Sequence, residues 1–245
     1  MISDPSCSIR NLLATLCALL VLAGCGAKQV QVKGNFPKPV VEPLPITVGV
    51  YYSDEFAAHE FFDEAKGRNE SQWLVKTGEA QVAFWDKLFA GAFRKTIRIY
   101  DLDQLKKRRK ELDAVIVPSI QDLQYTIPLH TNIKIYEIWM RYGFQFISIE
   151  DKEISRFALT AYGKTPTAFL QSDEQAVNLA AVVALRDAGA NFITSFERIP
   201  EVNDWLQQRS NRPKTVPAPV AAAATLPAKP PEPMESTPPE SEVQP

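Results

Sequence analysis

Thiols are the most reactive side chains in this 245-residue chain, and there are three of them, Cys7, Cys17 and Cys25, all near the N-terminus. A thiol can attack a carbonyl, close a disulfide, bind a metal or accept a lipid, and this placement confines each of those chemistries to the first tenth of the chain. The two histidines, His59 and His130, stand far apart, each without the close Cys or His neighbours that metal spacing requires, so neither a metal nor a cofactor is expected. His59 sits in DEFAAHEFFDE, residues 54–64, where carboxylates and an imidazole could form a site, although acids this dense more often make a solvated face. Glycine-rich phosphate loops and a G-x-S-x-G elbow are absent from the sequence. Glu137 and Arg141, four residues apart, could pair with neighbours or reach a ligand, and surface pairing is the simpler reading. No motif argues for an enzyme; a hydrolase whose carboxylates meet from distant segments is the weakest reading left.

Two clusters are candidate contact points for a partner. Phe56, Phe61 and Phe62 lie in a polar stretch, where aromatic rings either plug a core or present themselves to another molecule. Lys106, Lys107, Arg108, Arg109 and Lys110 form the sharpest charge run, able to meet anionic lipid, lipopolysaccharide phosphate or an acidic protein. The whole chain nevertheless carries a formal charge of −2 and a pI of about 5.8, which supplies no basic field for nucleic acid.

The cysteines acquire a role from what surrounds them. Asn11 to Leu22 reads NLLATLCALLVL, an apolar run of about twelve residues after Arg10, which suits a signal-peptide core of roughly 7 to 15 residues and falls short of the about 20 that span a bilayer. Leu22-Ala23-Gly24-Cys25 follows and resembles the bacterial lipobox. The resemblance implies that residues 1–24 are removed, that Cys25 becomes the acylated first residue, and that no free thiol remains in the mature protein. Gly26 stands where an aspartate would imply inner-membrane retention, so attachment to the outer membrane, facing the periplasm, is expected. The other reading is an uncleaved hydrophobic N-terminal helix.

The rest of the chain must position these groups. Pro37, Pro39, Pro43 and Pro45 make residues 25–45 read as a semi-rigid spacer, and the Pro, Ala and Glu of residues 209–245 read as a disordered tail. Between them, residues 46–208 read as one domain. ITVGVYY, residues 46–52, predicts a strand, and the aromatic spacing of 79–93 predicts a helix capped by Thr77. A short strand at 96–100, a charged helix at 102–112 and a strand from Ala114 follow. Residues 133–149 alternate Tyr136, Ile138, Met140, Tyr142, Phe144 and Phe146 against a mixed set, predicting a long antiparallel strand in a hairpin with 154–162. Ser172-x-x-Gln175 opens a helix lined by Ala176, Ala180, Ala184 and Ala188, which Gly189 could interrupt. Val202, Trp205 and Leu206 close with one more turn.

The expected fold is α+β, a single mixed, mostly antiparallel sheet of about five strands with helices packed on one face. In plan the chain is similar to auxiliary lipoproteins of ABC-type transporters and to lipoproteins that assist outer-membrane assembly. That similarity implies a non-enzymatic accessory or assembly factor, held to the membrane through Cys25 and binding a protein partner. The alternative is a periplasmic carrier of a hydrophobic ligand, lined by the aromatic face of the long strand.

Overall fold

The structure, a computed structural model, describes residues 27–63, 72–126, 135–166 and 172–211. The expected signal peptide, Leu22, Ala23, Gly24 and Cys25 of the expected lipobox, His130 and residues 212–245 of the expected tail lie outside these described residues. In chain order the elements are β1 (Lys28–Gln31), β2 (Leu44–Tyr51), α1 (Asp54–Ala57), β3 (Glu60–Asp63), β4 (Trp73–Lys76), α2 (Gly78–Ala92), β5 (Phe93–Ile99) and α3 (Leu102–Arg108). After a 3-10 turn come β6 (Ala114–Thr126), β7 (Ile135–Ser148), β8 (Glu153–Pro166), α4 (Asp173–Ser195) and α5 (Pro200–Ser210).

β7 behaves as its alternation demands. Tyr136, Ile138, Met140, Tyr142, Phe144 and Phe146 are all buried, while Trp139, on the other face, is about half exposed. The buried rings meet α2 and α4: Trp85 lies edge-on to Tyr142 at 5.3 Å and to Phe144 at 5.1 Å, and Phe192 sits 5.3 Å from Phe144. The alanine stripe of α4 is wholly buried, and it lets the helix backbone press on β8. At Gly163 a Cβ would fall 2.0 Å from the Ala180 carbonyl oxygen, so the strand touches the helix where only glycine fits. Ser172 caps α4 by accepting from the Gln175 amide at 3.2 Å. Gly189 does not interrupt the helix; its bare backbone makes room for the Phe84 ring, whose Cζ would lie 2.5 Å from an added Cβ. α4 is apolar enough in length and composition to resemble a membrane span, and its apolar residues are instead the inner layer of this core.

The single-sheet expectation is corrected. A five-stranded sheet runs β5-β2-β6-β7-β8, parallel across β5, β2 and β6 and antiparallel across β6, β7 and β8. A second, three-stranded sheet runs β1-β4-β3. Its strands have four residues each, too short for a period of two to stand out, and two of them come from stretches read as spacer and loop. Pro118 lies just past Ile116, the last residue of β6 paired with β2, where β6 becomes an edge and tolerates a residue without an amide hydrogen. Helices also occupy both faces: α2 and α4 cover the aromatic side, and Leu105 of α3 packs on the other against Ile97, Ile99, Leu112 and Val115.

Residues 28–36, expected to be spacer, are part of the fold. Prolines dominate the composition of 25–45, but Val30, Val32 and Phe36 are buried, and β1 pairs in parallel with β4. Asn178 of α4 then clamps the chain, accepting from the Lys33 amide at 2.7 Å and donating to the Lys33 carbonyl at 3.1 Å. Phe36 closes the strap edge-on against Phe84. Val32→Asp should therefore cost at least about 2 kcal/mol in urea unfolding, because it buries an unpaired charge, whereas a free spacer would show no change. Gly163→Val, which overpacks the contact of β8 with α4, should cost about 1–3 kcal/mol in the same measurement.

Candidate functional site

α3 begins where β5 ends. Asp101 caps it by accepting from the Gln104 amide at 2.6 Å, and its one described apolar side chain, Leu105, turns toward the sheet. The basic run therefore falls on the last turn and the 3-10 turn that follows, on the outside. Beneath the helix a cleft of about 360 Å³ opens, walled by Tyr51, Ile99, Leu105, Val117, Ile147 and Ile149 and bordered by the polar residues Asp101, Ser148 and Asp151. Asp151 occupies the β7–β8 turn with a positive φ of 61°, which a short polar side chain tolerates, and its carboxylate accepts from Arg109 at 2.5 Å. The helix end is thus tied to the hairpin beside the cleft. Lys106 lies 3.8 Å from Asp103. Lys107, Arg108 and Lys110 are exposed and have no ion-pair partner among the described residues.

The aromatic candidates separate into three roles. Ser53 caps α1, which folds Phe56 inward to stack on Tyr52 at 5.4 Å, so Phe56 is a core plug and offers nothing to a partner. Phe61 is half-buried on β3 against Tyr125, at 5.3 Å. Phe62, on the opposite face of the same strand, is 50% exposed and is the member of the trio free to touch another molecule.

His59 serves the backbone. Its carbonyl accepts from the Thr77 and Gly78 amides, each at 3.0 Å, closing the start of α2. Its Nδ1 lies 2.8 Å from Thr77 Oγ1, which also accepts from Gln81 Nε2 at 2.6 Å. The expected Thr77 cap therefore takes a different form: its hydroxyl joins this side-chain chain and makes no cap bond to the helix amides. Among the described residues no group of His, Cys, Asp or Glu is arranged to hold a metal. Glu137 accepts from the Tyr162 hydroxyl at 2.8 Å and pairs with Lys164, its cross-strand neighbour, rather than with Arg141.

The opposite end of the molecule is where the N-terminal segment enters. Lys28 lies 3.5 Å from Asp173 and 3.6 Å from Glu174, with its ammonium 4.9 Å over the Trp73 ring. The Tyr136 hydroxyl also bonds Asp173, which, after burial, is a further reason for its raised pKa. Twelve residues of β7 separate Tyr136 from Ser148 at the cleft, a run of about 40 Å at the usual strand rise. The cleft is not evident from sequence patterning, although a signal exists: Ile147, across from Val115, and Ile149, just past the end of β7, put apolar residues on the second face of the strand.

No family model matches the chain, and no curated protein matches it. Solved structures similar to it include a Xanthomonas campestris protein of family DUF330, at 11% identity and a TM-score of 0.41, covering 76% of this chain and 98% of that one. A neuraminyllactose-binding hemagglutinin homolog from Helicobacter pylori shares 11% identity, with a TM-score of 0.42 and coverage of 74% and 99%. A minor lipoprotein from Acinetobacter baumannii shares 12% identity, with a TM-score of 0.33 and coverage of 64% and 94%.

Burial lowers the His59 pKa, and the nearby Glu55 only partly opposes it. The unfolded chain then binds the proton more readily than the folded one, so the His59 contribution is complete above the ordinary value of about 6.5 and is lost as pH falls through the window below it. A His59→Gln variant should show a shallower loss of melting temperature between about pH 6.5 and pH 5 than the parent chain. Equal slopes would remove His59 from that dependence.

Proposed function

We propose that this chain is an acylated lipoprotein of the bacterial envelope, anchored through Cys25, whose folded part acts without chemistry of its own and holds a protein partner of an envelope complex. The observation that carries this reading is the filled aromatic layer. A carrier would need the face of Tyr136, Phe144 and Phe146 open to a ligand, and those side chains are at most 1% exposed. Their space is taken by Trp85, Phe192, Phe196 and Trp205. Surfaces, not an interior, are left to do the work.

The anchor follows from the lipobox resemblance and from the reach of the chain. Each buried methylene contributes about 0.8 kcal/mol, so one acyl chain binds marginally and two or three hold firmly. β1 starts three residues after Cys25, so an acyl group on that cysteine would be joined to the fold by a very short stretch of chain. In this reading the end bearing Lys28 and Asp173 rests against the membrane, and the residues expected to be a spacer act as a brace. Gly26 after the cysteine favours the outer membrane, with the domain facing the periplasm.

Cys25→Ser should move the protein from the membrane to the soluble fraction of fractionated cells and leave an unprocessed precursor. Intact-mass spectrometry of the parent should give an N-terminal Cys25 bearing diacylglyceryl and acyl groups such as palmitate. A native chain that starts at Met1 without fatty chains would overturn the reading.

A further inference from the structure

We infer that the cleft between α3 and the outer sheet face is the docking site for an acidic, extended segment of the protein partner, which seats one apolar side chain in the cleft and sets its carboxylates against the basic turn. The inference deepens the partner-binding reading above and rests on it for the orientation of the domain.

The charge argument comes first. Lys107, Arg108 and Lys110 project from one turn of chain, exposed and without carboxylate partners among the described residues. On β5, Lys95 is exposed too, while Arg94 beside it lies 3.8 Å from Asp113, and the register places Thr96 and Ala114 on either side of the same residue, Val48. The end of the basic turn and the first half of β5 therefore flank β2 at the same level, two strand spacings or about 10 Å apart. The unpaired cations of the basic turn, with Lys95 nearby, favour an acidic partner and raise its rate of encounter.

The apolar argument is independent of it. Leu105, Val117, Ile147 and Ile149 leave an uncovered greasy floor beside those cations. Tyr100, between the cleft residues Ile99 and Asp101, is 68% exposed and has the Arg98 guanidinium 5.5 Å from its ring centre. Tyrosine and arginine beside an apolar pocket are the composition that dominates protein contacts. A volume of about 360 Å³ lies at the small end of the roughly 300–1,000 Å³ that enclose small ligands, enough for one large side chain and cramped for a lipid with two acyl tails. β5 is an edge strand of the five-stranded sheet, so a segment leaving the cleft over Ile99 meets an open strand edge that suits extended chain. The bilayer that would hold Cys25 is unsuited as the occupant, because the cleft lies about 40 Å along β7 from the end where β1 enters.

The test uses full-length protein in detergent, immobilised and panned against a phage-displayed library of random dodecapeptides. Enriched peptides should carry Leu, Ile, Met or Phe flanked by Asp and Glu, and a fluorescein-labelled synthetic copy should bind more weakly as salt rises. The surface variant Lys107→Glu/Arg108→Glu/Lys110→Glu should weaken that peptide at least tenfold with an unchanged melting temperature, and Val117→Trp, which fills the cleft, should weaken it similarly. Enrichment without acidic bias, or binding that the surface variant leaves unmoved, would overturn the inference. Phosphatidylglycerol vesicles are the second probe: binding to them that the surface variant abolishes, with no peptide enriched, would assign the patch to lipid and overturn it as well. Cys25→Ser protein, panned in parallel, separates the two readings, since peptide binding that survives in a chain whose parent proves unacylated sinks the anchor and leaves the docking site standing.

Discussion

The edge-on contact of Trp85 with the β7 rings is the interaction on which the rest of this fold depends. Its indole is surrounded by Phe84, Phe89, Tyr142, Phe144 and Phe192 at centroid distances between 5.1 and 5.8 Å. One side chain thereby joins α2, β7 and α4, three elements far apart in the chain. Aromatic pairs of this geometry add about 0.5–1.5 kcal/mol each beyond area burial. Because the rings interlock, Tyr142, Phe144 and Phe146 on the inner face of the sheet are at most 1% exposed.

Legibility in the sequence follows element length. The 14-residue strands β7 and β8 and the 23-residue helix α4 repeat their periods several times, so the alternation from Tyr136 through Phe146 and the alanine stripe are enough to tell which faces turn inward. The four-residue strands β1, β3 and β4 carry only two periods each, and Val30 and Val32 are outweighed by the prolines that follow them. The first strap of the fold is hidden for the same reason, since its burial comes from Asn178 and Phe84, residues far away in sequence.

The candidate site is half legible. A run of five basic residues is visible to any reader, and its amphipathic partner is not, because the cleft is assembled from Tyr51, Ile99, Val117 and Ile149 on four separate segments. Phe56, Phe61 and Phe62 illustrate the limit from the other side. They are equally greasy on paper, and only the capped turn at Ser53 and the pleat of β3 decide which ring is swallowed and which is shown.

At the far edge of the long meander, β8 has no strand beyond it among the described residues, yet the middle of its backbone is occupied. Asp187 accepts from the Tyr162 amide at 2.9 Å and Asn191 donates to the Thr160 carbonyl at 3.1 Å, both from α4. An uncapped strand of this length is a template for a copy of itself. A neighbouring strand seeking to extend the sheet would meet α4 side chains already bound at Thr160 and Tyr162, so pairing along the middle of that border would first have to displace them.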